Sequence, residues 1–280
     1  MKTTNLEHID ESCFENILVL VHKLIGITIA KNKKSMVQGR LRKRIVSLGL
    51  ATYEDYYHLV VESKDEKSIF IDLLTTNETY FFRTPRIWKY IEEVYLPQWA
   101  QNNAGKTFQA WSAAASSGEE AHSLGIICQK FKEKNPLFNY QIWGSDISRE
   151  MVSYCMKGEY QGKSIEAFKT SMPDVFQRFM KLNLETKYEV LPEIKKRLSF
   201  FEHNLFSPLR NSINFDLILV RNVFIYFTAV DQEVVLSKLW DKLDPEGILI
   251  IGESESLANL NCNFKKIDNL IYGKTEGVLP

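Results

Sequence analysis

The chain has 280 residues, 45% of them hydrophobic and 25% charged. That is the composition of an ordinary globular protein, long enough for a small domain beside one of usual size. Lysine plus arginine and aspartate plus glutamate both number 35, which argues against coating nucleic acid or an anionic membrane and leaves any electrostatic partner to a local patch.

The four cysteines, Cys13, Cys128, Cys155 and Cys262, are far apart, and the five histidines never fall at helical metal-ligand spacing. No metal site is expected, and reduced thiols fit a cytoplasmic protein. The longest apolar stretch, Ile17 to Ala30, is interrupted by His22 and Lys23 and is too short to span a bilayer. An acidic start at Glu7, Asp10 and Glu11 is unlike a secretory leader.

From residue 12 to about residue 100 the apolar spacing is helical, so residues 1–100 read as an all-α N-terminal domain. Val37, Leu41, Ile45 and Leu48 fall on one helix face, with Arg40, Lys43 and Arg44 on the adjoining one. From Lys31 to Arg44 there are seven basic residues and no acidic one. Such a run is either a solvated face or a docking surface for an acidic partner.

Past Gly105 the pattern changes to short strands alternating with amphipathic helices. Strands are predicted at Phe108–Ser112, Tyr140–Ser145, Leu198–Phe201, Phe215–Val220 and Gly247–Ile251, and helices at Glu119–Phe131, Arg149–Met156 and Val230–Leu243. Residues 101–280 are therefore expected to form an α/β domain with a mostly parallel, Rossmann-like sheet. Two last strands, Phe264–Ile267 and Leu270–Gly273, are at hairpin spacing. A C-terminal antiparallel hairpin on such a sheet suggests the class I methyltransferase fold. The insert at about 158–197 is less regular, with a short helix at Pro173–Met180 and an alternating segment at Lys187–Leu191 that suits a small hairpin.

Ligands of open parallel sheets bind beyond the carboxyl ends of the strands. The first such end, Trp111-Ser-Ala-Ala-Ala-Ser-Ser-Gly-Glu-Glu120, has a run of small residues that lets backbone approach a ligand, then two acids. It matches neither the G-x-G-x-x-G fingerprint nor a P-loop, and two carboxylates at the mouth disfavour an anion. The bland alternative is a helix start whose acids complement the dipole. At the second, Trp143-Gly-Ser-Asp-Ile147, Asp146 is either a ribose acceptor or a helix N-cap. The third, Phe215-Asp-Leu-Ile-Leu-Val-Arg-Asn-Val-Phe-Ile-Tyr-Phe227, runs an apolar strand into Arg221, Asn222 and Tyr226, polar groups that need partners there.

With Thr75-Thr-Asn-Glu-Thr-Tyr-Phe-Phe-Arg83, Met156-Lys-Gly-Glu-Tyr160, Met172-Pro-Asp-Val-Phe-Gln-Arg-Phe179, Phe201-Glu-His-Asn-Leu205 and Gly247-Ile-Leu-Ile-Ile-Gly-Glu-Ser-Glu255, these segments resemble the chemotaxis receptor methyltransferases of the CheR type, in order and over nearly the whole chain. The resemblance implies protein-glutamate O-methylation of the cytoplasmic helices of chemotaxis receptors. Its cofactor is S-adenosylmethionine (AdoMet), with S-adenosylhomocysteine as product. It implies cofactor contacts from Asn77, Thr79, Arg83, Glu120, Asp146, Asn204, Leu205, Arg221 and Asn222. Arg83 and Tyr226 would orient the acceptor glutamate, and the basic face at Lys33, Arg40, Lys43 and Arg44, picked out by its charge and not by the resemblance, would dock on such a receptor. The sequence departs from the family pattern at Glu253, where a histidine is common, and at Glu119-Glu-Ala-His122, where Glu-Glu-Pro-Tyr is usual. It also lacks the glycine near Asn183–Lys187 found in members that tether to a receptor's C-terminal pentapeptide. Methylation of another acceptor on the same fold, or sensing of AdoMet without turnover, are the competing functions.

Overall fold

A computed structural model describes residues 6–275. The ends of the expected domain ranges, 1–5 and 276–280, lie outside it. Four helices come first: α1 (Glu11–Ile25), α2 (Lys34–Ser47), α3 (Tyr53–Glu62) and α4 (Lys64–Leu74). Their starts are written in the sequence, since Asp10, Thr52 and Ser63 each accept a hydrogen bond from a first-turn amide. Val37, Leu41 and Ile45 of α2 are fully buried, and with residues between Leu6 and Leu74 they form one hydrophobic core. Leu48, expected on that face, follows the end of α2 and is exposed.

The helices α5 (Pro85–Tyr90) and α6 (Leu96–Asn102), joined by a π-helical turn at Ile91–Tyr95, belong to a second core that begins at Phe81. Residues 81–102 thus pack with the sheet and not with the first four helices. The remaining elements are β1 (Thr107–Ser112), α7 (Glu119–Lys134), β2 (Asn139–Asp146), α8 (Arg149–Lys157), β3 (Glu159–Tyr160), α9 (Lys163–Ser171), α10 (Pro173–Phe179), β4 (Met180–Leu182), β5 (Tyr188–Val190), α11 (Pro192–Lys195), β6 (Leu198–Glu202), β7 (Phe215–Val220), α12 (Ala229–Lys242), β8 (Leu243–Ile251), β9 (Lys265–Asp268) and β10 (Ile271–Gly273).

The main sheet has the order β6-β2-β1-β7-β8-β10-β9. Its first five strands run parallel, and β10 is antiparallel to both neighbours, as the terminal hairpin predicted. Strand β7 is buried at nearly every position, which is what an apolar run covered by helices on both faces requires. The insert folds as a three-stranded antiparallel sheet, β3-β5-β4, with the expected hairpin at β4 and β5. It also holds α9, where the apolar spacing predicts no regular element. Parallel strands deliver all their carboxyl ends to one edge, and β1 sits where the chain departs to both sides, so the crevice lies beyond β1, β2 and β7.

Candidate functional site

A cleft of about 940 Å³, including solvent at its mouth, opens at that edge. Its walls come from five distant stretches: Thr75–Arg83, Ala113–Glu120, Asp146–Ile147, His203–Leu205 and Arg221–Phe227. All nine expected cofactor positions and Tyr226 line it, whereas Lys33, Arg40, Lys43 and Arg44 do not. Ile25 and Ile27 of the helical domain also line it, a contribution no local motif announced. The two domains are fastened beside the cleft by Thr28 N donating to Tyr226 O (2.8 Å), Asn204 Nδ2 donating to Leu24 O (3.0 Å) and a 2.9 Å contact between His22 Nε2 and Asp231 Oδ2.

The loop after β1 is stitched to its neighbours past the strand end: Ala113 N donates to Leu219 O and Ala115 N to Ser145 O, both at 2.8 Å. Its one glycine is required. Gly118 has φ +99, and a Cβ there would lie 2.9 Å from Tyr160 Oη and 3.0 Å from Cys155 Sγ. Of the two acids that follow, only Glu120 faces the cleft. Glu119 is buried against the insert, accepting from Ser117 Oγ at 2.6 Å and from Ser164 Oγ at 3.4 Å, and burial raises its pKa. The expectation of two carboxylates at the mouth is therefore corrected to one.

That one is neutralised. Glu120 Oε2 is 3.1 Å from Arg221 Nη1, and Ser112 Oγ donates to Oε1 at 2.8 Å. The Arg221 side chain is 1% exposed; its Nη2 donates to Arg83 O (2.9 Å) and Thr84 Oγ1 (2.7 Å), and it lies over the Trp88 ring. Arg221 thereby holds the backbone on which Arg83 sits between two left-handed residues, Phe82 (φ 54) and Thr84 (φ 65). Phe82 N donating to Ser123 Oγ and Trp88 Nε1 donating to Arg83 O complete the fastening. Among the described residues the Arg83 guanidinium makes one long bond, 3.3 Å to Glu78 O, and lies over the Tyr80 ring, so most of its five donors are unspent where it lines the cleft.

Asp146, at the end of β2, is not the cap of the next helix. Ser148 is, its hydroxyl accepting from Met151 N at 3.1 Å. Asp146 instead takes amides from Ser116 (2.8 Å) and Ser148 (3.0 Å), which leaves about two of its lone-pair sites to the cleft. Burial raises its pKa, against the pull of those amides. Tyr226 is half-buried, and its phenol makes no hydrogen bond among the described residues, unlike a core tyrosine. Asn204 spends its amide on Leu24 O and on Phe206 N.

The basic face of α2 is more occupied than the sequence suggested. Arg40 donates to Leu74 O and Thr75 O, both at 2.9 Å, and Arg44 grips Glu66 with two bonds of 2.9 and 2.7 Å. The view of these two arginines as outward docking charges is corrected: both are turned onto α4 and the segment after it. Lys31 and Lys34 pair with Glu15 and Glu11. Lys33 and Lys43 are exposed, with no ion pair among the described residues.

A model of the CheR methyltransferase SAM binding domain matches residues 77–272, and one of the CheR methyltransferase all-alpha domain matches residues 13–75. The chemotaxis protein methyltransferase Cher2 of Pseudomonas putida is 29% identical over 272 residues, 95% of this chain and 96% of its own. The chemotaxis protein methyltransferase of Salmonella typhimurium is 31% identical over 271 residues, 94% of this chain and 90% of its own. That of Escherichia coli is 30% identical over 273 residues, 94% and 91% of the two chains.

Proposed function

The chain belongs to the CheR methyltransferase family and is an AdoMet-dependent methyltransferase of chemotaxis, and from that premise we propose that its acceptor is the side-chain carboxylate of glutamates on a receptor's cytoplasmic helices. The enzyme would accordingly work in the cytoplasm; among the described residues no helix is long and apolar enough to cross a membrane. What supports the reading is the convergence of residues from Asn77 to Tyr226 on one cleft at the carboxyl edge of the sheet.

When bound, AdoMet supplies an electrophilic methyl carbon on a sulfonium. The residues present fit it. Asp146 keeps unspent acceptor sites for ribose hydroxyls, Arg83 keeps donors for a carboxylate, and Leu205 and Ile147 give the apolar wall that a purine needs. Asn77, Thr79 and Asn222 add polar groups at the rim, while Glu120 and Arg221 act mainly on each other and on the Arg83 backbone.

A glutamate carboxylate has a reference pKa of about 4.3 and is already an anion at neutral pH, so no general base has to activate it. Arg83 and Tyr226 hold it in line and displace its water; neither has to move a proton. Docking is assigned to the free lysines of the α2 face, Lys33 and Lys43, with Arg40 and Arg44 shaping that face from within. Radiolabelled methyl groups transferred from AdoMet to a purified receptor fragment should be released as methanol by mild alkali, because a carboxyl ester hydrolyses and an N-methyl group does not. Alkali-stable label would point to another acceptor.

A further inference from the structure

The stretch from Arg221 to Phe227 lines the cleft, yet its only regular structure is one 3-10 turn at Phe224–Tyr226. It starts from a left-handed residue, Asn222 at φ 58, a conformation asparagine tolerates but does not enforce. The groups that meet its amides lie in the turn after β8. Glu255 Oε1 accepts from Phe224 N at 2.8 Å, and Oε2 accepts from Asn222 N at 3.1 Å and from Gly252 N at 2.6 Å. The residue is 9% exposed, and no cation pairs with it among the described residues. A buried charge without a counter-ion is a costly choice unless amide donors replace the lost water, which is what these three do. Gly252 lets them come so close: a Cβ there would lie 2.7 Å from Glu255 Oε2 and 2.8 Å from Asn222 N.

We infer that Glu255 is a positioning residue for methyl transfer, its carboxylate clamping the Asn222–Phe224 backbone so that Asn222 and Tyr226 face the cleft. The inference rests on the reading of this cleft as the methyl-transfer site. Only a carboxylate serves, because both of its oxygens accept. In glutamine one oxygen becomes an NH2 group, set against the Phe224 amide or against those of Asn222 and Gly252. The loop would then have to turn one amide away, and Tyr226 would move with it.

The test uses the full chain as wild type, Glu255→Gln, Gly252→Ala and, as a control of stability alone, Val60→Ala in the core of the helical domain. Each is assayed well below its own melting temperature for S-adenosylhomocysteine affinity by calorimetry and for kcat and KM on a receptor fragment. Glu255→Gln should lower kcat by about tenfold or more, as misplacement of reacting groups does. Gly252→Ala, pressing on the same junction from the other side, should lower kcat likewise, and Val60→Ala should lose melting temperature but keep kcat. Wild-type kcat within about twofold in Glu255→Gln and Gly252→Ala overturns the clamp. If wild type itself neither binds S-adenosylhomocysteine nor transfers methyl, it is the reading of the site that fails.

Discussion

Glu120→Ala would leave the Arg221 guanidinium, whose side chain is 1% exposed, facing no anion. At the 3.1 Å separation seen here the gross attraction is about 5 kcal/mol with an effective dielectric of about 20. The desolvation of Arg221 is spent whether or not Glu120 is present, and removing one partner of a buried pair costs about 3–5 kcal/mol. Glu120 is 12% exposed, so some water can enter, and about 3 kcal/mol is expected. Glu120→Gln keeps an acceptor and should cost less, about 1–2 kcal/mol. Urea denaturation followed by circular dichroism reads both. A double variant, Glu120→Leu with Arg221→Met, removes both charges and should recover much of the stability, yet lose most activity because Thr84 Oγ1 then loses its Arg221 donor and Arg83 O keeps only Trp88 Nε1. If Glu120→Ala is as stable as wild type within about 0.5 kcal/mol, Arg221 does not depend on this pair and the argument fails.

His122 is fully buried and its pKa is lowered to about 4 by burial. The unfolded chain takes up this proton near pH 6.5 and the folded one only near 4, so the folded state binds fewer protons between the two. Its contribution to stability is complete above about pH 6.5 and falls by up to about 1.4 kcal/mol per unit as pH drops towards 4. Burial raises Glu119, Asp146 and Glu255, which act in the opposite sense, so the quantity to measure is the difference in slope between wild type and His122→Gln, and equal slopes would exclude the effect. At the proposed docking face, Lys33→Glu with Lys43→Glu should raise KM for receptor at low salt and leave S-adenosylhomocysteine binding unchanged. The difference should fade as the Debye length shrinks from about 10 Å at 0.1 M to about 3 Å at 1 M. Wild-type KM at low salt would remove these lysines from the surface.

Periodicity made the strands and helices of the sheet domain legible. Phe215–Val220 is legible to the residue, because a short apolar run of strand length between polar flanks fits a strand buried on both faces. Of the candidate residues, Glu120, Asp146, Asn204, Arg221 and Asn222 follow strands and parallel topology sends those ends to one edge, whereas Asn77, Thr79 and Arg83 follow no strand and were marked by the family resemblance alone. What spacing could not give was the direction of side chains whose partners lie far away in sequence. Glu119 and Glu120 are neighbours in the first turn of one helix, yet one faces Ser164 in the insert and the other faces Arg221. Arg40 and Arg44 looked like surface charge because their acceptors, the last carbonyls of α4 and Glu66, lie 22 to 35 residues away. Helix α9 was missed because its apolar anchors, Ile165 and Phe168, are too few to set a period.

The same separation explains why the groups that shape this cleft differ from those that touch its contents. The proposed acceptor, already an anion, asks the protein for placement, and placement here depends on strained backbone: Phe82, Thr84, Ser116 and Asn222 all have positive φ, each costing on the order of 1–3 kcal/mol. Such residues persist only where surrounding bonds over-determine them. Arg221 supplies those bonds to Thr84 and to Arg83 O, Asp146 to Ser116, and Glu255 to Asn222. Three charged side chains at three strand ends therefore fix the backbone before anything binds, so that ligand binding need not spend free energy on ordering the site.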